Sequence, residues 1–388
     1  MQTDNLQITT PIAASLLRGA IELEQTAFGI LPHRLPAWTR AQFPDSQLAL
    51  IETEPSGVRL KFRTAATVIE LDVLPTRRAI VGIPPRPKGI YDLCVNGKLE
   101  RQCSAENAAL LRTDMSTGTI IHEPGTVQTL RFEGLEGDDK LVEIWLPHNE
   151  IVELGVLRSN SPLRAVASEK RPIWVHHGSS ISQGSNATSP TGTWPAIASR
   201  TAEVDLVNLG FGGNALLDPF VSRTIRDTPA DIISVKIGIN LVNADLMRLR
   251  AFGPAVNGFL DTIREGHPDK PLLVMSPIYC PIHEDTPGPG MFDLDALARG
   301  EMKFLATGRP EDAKSGRLTL TVIREQLCRI VEQRAKHDTN IHYLDGRTLY
   351  GEADHAGLPL PDRLHPDAES HRLMGRRFAP RLRSLLGS

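Results

Sequence analysis

The chain has 388 residues, 40% of them hydrophobic and 23% charged, with 43 Lys and Arg set against 46 Asp and Glu. That length predicts two domains, and the composition excludes wholesale disorder and collagen-like or coiled-coil structure. A formal net charge of -3 without a long basic run offers nucleic acid no electrostatic footprint. Cys94, Cys103, Cys280 and Cys328 are too scattered for a disulfide framework and form no Cys-x-x-Cys pair, so they read as reduced thiols, not as ligands of zinc or parts of a redox couple. The amino-terminal stretch lacks a basic start followed by an apolar core, and no segment reaches the roughly 20 apolar residues that span a bilayer. A soluble, cytoplasmic protein with no membrane partner is expected.

From about Leu48 to Leu157 apolar residues recur with a period of two, which puts alternate side chains on one face of a strand. Val58, Leu60 and Phe62 alternate with Arg59, Lys61 and Arg63, and Ile69, Leu71 and Val73 with Glu70 and Asp72, so each run is expected to keep one wet face. Pro84, Pro85 and Pro87 break the chain. Asn96-Gly97, between YDLCV and KLE, supplies the two positive φ angles of a tight hairpin turn. LVEIWL and IVELGVL add strands after the polar turn GLEGDD, and residues 1–160 read as a β-sandwich domain.

After RSNSPLRAVASEKRP, short continuous apolar runs alternate with segments of helical period, the pattern of a parallel sheet covered on both faces. Residues 161–388 therefore read as an α/β domain. Its predicted strands are 173–177, 204–209, 231–237, 271–276 and 341–345. Leu320, Ile323, Leu327 and Ile330 give a helix over about 318–336 one buried stripe, and Pro366 suits the first turn of the last helix. The connection from about 277 to 317 follows a strand's carboxyl end, where open α/β sheets bind ligands. Its length suggests a lid, a binding loop or a disordered insert.

The chemistry lies in the segments just past the strands. The first strand runs into GSSISQG, where a serine on a tight turn at a helix start exposes its hydroxyl beside backbone N–H groups that favour developing negative charge. Ser180 is the candidate nucleophile. The second strand ends in NLGFGGN, whose glycines permit close backbone approach to a ligand, although the spacing does not fit the dinucleotide fingerprint. The third is followed by Gly238-Ile239-Asn240, where the Asn240 amide can donate to an oxyanion. Past the last strand, DRLHPD places Asp362 three residues before His365, a spacing at which one short turn holds an imidazole and the carboxylate that orients it. Each segment alone reads equally well as a cap or a turn. Four of them able to reach one sheet edge do not.

Together GSSIS, NLGFGGN, GIN and DRLHP resemble the four sequence blocks of the SGNH hydrolases, the GDSL lipase/acylhydrolase superfamily, over about 172–380. The resemblance implies a flavodoxin-like three-layer α/β/α domain with a parallel sheet, preceded here by an all-β, jelly-roll-like sandwich. It implies Ser180 as nucleophile, His365 as base, Asp362 as its orienter, and an oxyanion hole of the Ser180 N–H, the Gly213 N–H and the Asn240 side chain, with no cofactor and no metal. Ser179 and Leu241 stand where the family usually has Asp, positions that support turns. Ser179 and Ser182 remain rival nucleophiles, but alignment on Gly178 favours Ser180. A sandwich before such a domain is similar to a subgroup that includes carbohydrate esterases and a GDSL-like acyltransferase of aromatic polyketide biosynthesis.

The expected activity is a serine esterase acting on a small-molecule ester through an acyl-enzyme. Acyl transfer to a hydroxyl of a natural product or sugar is the first alternative, and non-catalytic carbohydrate binding the second. The oligomeric state is left open. His176 and His177 do not suggest zinc, because adjacent residues on a strand point to opposite faces. His283, Glu284 and Asp285 read as a solvated cluster or as a cation or substrate site. Trp145 and Trp174 read as core, and Trp194 as a pocket wall or helix packing.

Overall fold

The alternating apolar residues of the amino-terminal half build two facing, mostly antiparallel sheets, seen in a computed structural model that describes residues 6–83, 86–114, 117–166 and 171–387. Pro84 and Pro85 lie outside the described residues. One sheet is centred on Val68–Ile80 and Ile151–Ser159, the other on Arg59–Thr64, Lys140–Trp145 and Ile90–Val95. Phe62, Leu93 and Ile144 from the second sheet and Leu71, Phe132 and Leu154 from the first share one core cluster, each such burial stabilising by about 1.5–3 kcal/mol relative to exposure. Asn96 and Gly97 have φ of 49° and 79° and close the predicted hairpin between Ile90–Val95 and Lys98–Ser104.

Three details differ from the sequence reading. Leu48 belongs to a short helix, Ser46–Glu52, capped by Asp45, because the cap accepts from the Leu48 N–H before the strand pattern begins. The predicted wet face of the 59–64 strand is dry at Arg59 and Lys61, which are 2% and 1% exposed, while Arg63 stays partly exposed. The Arg59 guanidinium is paired with Glu143 at 3.2 Å and lies 4.7 Å from the Trp145 ring centroid, partners that a period-two pattern cannot reveal. Finally, Arg164–Ala165 pairs with Arg59–Thr64. The first compact unit accordingly comprises 1–171 with 188–191, and the second 172–187 with 192–388.

In the second unit five strands, Ile173–Gly178, Asp205–Gly210, Ile232–Lys236, Leu272–Met275 and Ile341–Leu344, form one parallel sheet in the chain order 2-1-3-4-5. That is the flavodoxin-like order, whose switch point lies beside the first strand. Helices cover both faces. Trp174 packs against Trp194 and Phe378 at centroid distances of 6.1 and 5.2 Å, while His177, on the opposite face, stacks on Phe259 at 5.7 Å. Trp194 is fully buried and is therefore packing, not a pocket wall. The predicted helix at 318–336 is Leu320–Arg334, capped by Thr319, with Val331 in place of Ile330 on its buried stripe. The last helix, Ala368–Leu386, is capped by Asp367, so Pro366 precedes the cap instead of filling the first turn. No helix among the described residues is long and apolar enough to cross a membrane.

Candidate active site

The strand Ile173–Gly178 breaks into a four-residue helix, Ser180–Gln183. Ser179 makes the break: it is extended, and its hydroxyl accepts from the Ile181 N–H at 3.3 Å. The turn is so tight that a Cβ on Gly178 would sit 2.3 Å from the Ser182 hydroxyl oxygen. As the first helical residue, Ser180 has a backbone N–H that the helix cannot satisfy, and that N–H has no partner among the described residues.

The Ser180 hydroxyl lies 2.8 Å from His365 Nε2, and His365 Nδ1 lies 2.8 Å from Asp362 Oδ2. Beside a carboxylate, Nδ1 carries the proton and donates it, which leaves Nε2 as an acceptor for the serine hydroxyl. The other oxygen of Asp362 accepts the backbone N–H groups of Leu364 and His365 at 2.9 and 2.6 Å. Burial works to raise the Asp362 pKa, but the hydrogen bond and charge of His365 and the two backbone donors outweigh it and hold the carboxyl below its ordinary range. Asp362 is buried and His365 half-buried, so the imidazole is sheltered on its carboxylate side and reachable on the serine side.

The other two predicted segments are tied to the same edge. Gln183, on the Ser180 helix, accepts the Gly212 N–H at 2.7 Å, and Asn240 Oδ1 accepts the Ala215 N–H at 3.1 Å, so the glycine loop is pinned from both sides. The Ala215 contact engages the carbonyl end of Asn240, leaving its Nδ2 amide without a partner among the described residues. With the Gly212 N–H taken, the N–H of Gly213 has no partner among the described residues; Gly213 is exposed, with φ of +75°. The Ser180 N–H, the Gly213 N–H and the Asn240 amide are thus three unspent donors past three adjacent strands. Leu241 is fully buried in the Ile239–Asn243 helix.

Ser182, the rival nucleophile, bonds a different histidine. His176 Nε2 lies 2.8 Å from its hydroxyl and His176 Nδ1 lies 2.7 Å from Ser234, with all three residues fully buried. Ser179 is spent as a cap. His283 and Glu284 are not a solvated cluster either: His283 is buried against Asn243 at 2.7 Å, and Glu284 makes a two-pronged ion pair with Arg324 at 2.6 and 2.8 Å. Among the described residues no group of three or more His, Cys, Asp or Glu is placed to hold a metal ion.

Sequence reasoning missed three contributors. Asn186 donates to Asp362 Oδ2 at 3.3 Å from a left-handed backbone, φ +67°, a conformation that asparagine tolerates. Gln183 holds the glycine loop. Phe304, from the long connection, meets His365 edge-to-face at a centroid distance of 5.6 Å. The signal for the first two was their place within SISQGSN; for Phe304 it was only the length of the connection.

The parallel 2-1-3-4-5 sheet with its reactive carboxyl edge defines a GDSL-type α/β fold, and family comparison agrees. Residues 170–281 match the GDSL-like Lipase/Acylhydrolase family and residues 16–154 match the SsfX3, N-terminal domain family. The matched stretch of the second unit is thus similar to the GDSL-like lipases and acylhydrolases, and the fold around it is the three-layer α/β/α arrangement with a parallel sheet. Among solved structures, a salicylyl-acyltransferase, SsfX3, from a tetracycline biosynthetic pathway is 26% identical, with 99% of this chain and 98% of that one covered and a TM-score of 0.79. A protein from Bacteroides ovatus described as a GDSL-like lipase shares the fold at 19% identity, 96% coverage of each chain and a TM-score of 0.67. A family two carbohydrate esterase from Cellvibrio japonicus does so at 13% identity, 98% coverage of each chain and a TM-score of 0.55. No curated protein matches the chain.

Proposed function

We propose that this protein is a serine esterase that cleaves small carboxylic esters through an acyl-enzyme. The supporting observation is the Ser180–His365–Asp362 chain, with both links at 2.8 Å, together with three candidate donors past the same sheet edge. In this reading the Ser180 oxygen attacks the ester carbonyl while its proton passes to His365 Nε2. Charge develops on the carbonyl oxygen among the Ser180 and Gly213 N–H groups and the Asn240 amide. Collapse breaks the bond to the alcohol, which leaves with the proton from His365. A water then repeats the sequence on the acyl-serine and releases the acid. Asp362 keeps its charge throughout. An ester panel of varied acyl length, acetylated sugars included, run on wild type and Ser180→Ala tests the proposal, together with labelling by a fluorophosphonate. Full activity and labelling of the variant would sink it.

Acyl transfer is the second reading, favoured by likeness to an acyltransferase along the whole of both chains. It uses the same residues, with a hydroxyl replacing water in the second half. Product analysis with and without an alcohol acceptor separates the two. Glycan binding without any ester turnover would point instead to a carbohydrate-binding protein. With four free cysteines and no demand for a cofactor, we place the activity in the cytoplasm.

A further inference from the structure

The long connection carries a two-stranded hairpin, Gly290–Phe292 paired with Phe304–Ala306, that is strapped to the Asp362–His365 loop at several points. The Phe304 N–H donates to the Asp362 carbonyl at 2.9 Å, and Arg363 pairs with Asp293 at 3.0 Å. Phe292 and Phe304 face each other across the hairpin with centroids 4.9 Å apart, and the Phe304 ring lies 5.6 Å from the His365 ring at 75°. Both phenylalanines are only half-buried. An aromatic pair held in register, partly open to solvent and set against a catalytic imidazole has a face to offer a ligand.

The direction of proton transfer decides which part of the ester meets this face. This inference rests on the proposed serine mechanism, in which His365 gives its proton to the departing alcohol and takes one from the incoming hydroxyl. The alcohol oxygen must therefore come within hydrogen-bond reach of His365 Nε2 in both halves. The acyl chain is held on the other side of the carbonyl. Whatever flanks the histidine borders the alcohol.

We propose that Phe304, backed by Phe292, is the wall of the alcohol subsite and selects esters and acceptors whose alcohol half carries a flat apolar ring. An aromatic contact of this kind is worth about 0.5–1.5 kcal/mol, a factor of about two to ten. Two matched ester series test this on the full chain. Benzyl and propyl acetate share an acyl group and differ in the alcohol; propyl acetate and propyl butanoate share the alcohol. Wild type is expected to prefer benzyl over propyl acetate in kcat/KM. Phe304→Ala should lower that preference about two- to tenfold while leaving the acetate-to-butanoate ratio unchanged, and Phe304→Tyr, which keeps the ring, should retain it. Phe304→Leu, which preserves apolar packing without a ring, serves if the alanine variant does not fold. No benzyl preference in wild type, an alcohol preference unmoved in the variants, or an equal shift in the acyl series would overturn the proposal. Turnover that survives Ser180→Ala would instead defeat the serine reading beneath it.

Discussion

Ser180 and Ser182 stand two residues apart, and each lies 2.8 Å from the Nε2 of a histidine, yet the two pairs occupy opposite environments. His176 and Ser182 are sealed in the sheet core, where the second ring nitrogen of His176 meets the Ser234 hydroxyl and, among the described residues, no carboxylate. Burial, with help from His177 and Lys236, pushes the His176 pKa well below its ordinary value, so the ring stays neutral and cannot hold a proton taken from serine. His365 sits at the rim, where its second nitrogen meets a carboxylate that stabilises the imidazolium. A serine–histidine hydrogen bond is therefore not a catalytic unit. What distinguishes the two is the third group and access for a carbonyl.

The largest effect that can break this comparison is a swap of the two serines. Ser180→Ala should lower kcat by about 10⁴-fold or more, the scale of losing a nucleophile in serine hydrolases. Ser182→Ala should stay within about tenfold of wild type and lose stability instead, by about 1–3 kcal/mol for the buried partner left unpaired. Ester turnover and urea unfolding of both variants decide it. If Ser182→Ala is the inactive, unlabelled protein, the pairs have been assigned the wrong way round.

Much of this was legible beforehand because it depends on strand ends. The five parallel strands are continuous apolar runs, and each candidate residue lies just past one of them or in the Asp-x-x-His turn. The choice among Ser179, Ser180 and Ser182 was not legible from composition, since it depends on which histidine each hydroxyl meets in space. The buried face of Arg59 and Lys61 was hidden for a related reason: charged residues in alternation signal solvent unless a cross-strand partner such as Glu143 is known. The hairpin at 290–306 was beyond reach, because its three-residue strands are too short to show a period.

The proposed oxyanion donors give the next effect in size. Asn240→Ala removes the one side-chain donor, and with it the acceptor that pins the Ala215 N–H, so a loss of about 10²–10³ in kcat is expected with KM little changed. Asn240→Asp, isosteric but lacking the amide donor, should be equally impaired. A variant that loses KM alone would mean that Asn240 binds substrate without stabilising the transition state.

The sealed and open regions should also separate by pH. Burial lowers the pKa of His177 and of His371 to about 4, and holds that of His176 well below its ordinary value. The unfolded chain takes up protons near pH 6.5 that these native rings refuse, so their stabilisation is complete above that pH and is lost as pH falls towards 4. Each of His177 and His371 carries about 3 kcal/mol of this dependence. Asp362, its pKa depressed, contributes in the opposite sense of charge and loses its share only at lower pH. The urea midpoint should therefore fall between pH 6.5 and 4, and His177→Gln should flatten the slope. An unchanged slope in that variant would show that His177 titrates normally in the native protein.

The smallest effect probes the rim itself. Asn186 donates to the same Asp362 oxygen that accepts from His365, at 3.3 Å and from an exposed residue, so its bond is weak and its loss should cost about two- to fivefold in kcat/KM. The direction with pH is the sharper readout. With one donor fewer, the Asp362 charge is less dispersed and pulls harder on the proton of His365, favouring the imidazolium that cannot accept from Ser180. Asn186→Ala should therefore move the acidic limb of the kcat/KM profile to higher pH, while the plateau above it drops little. Asn186→Gln, which keeps an amide, should restore part of the shift. A profile that runs parallel to wild type at every pH would mean that Asn186 only shapes its loop, and that His365 and the two backbone donors set the carboxylate without it.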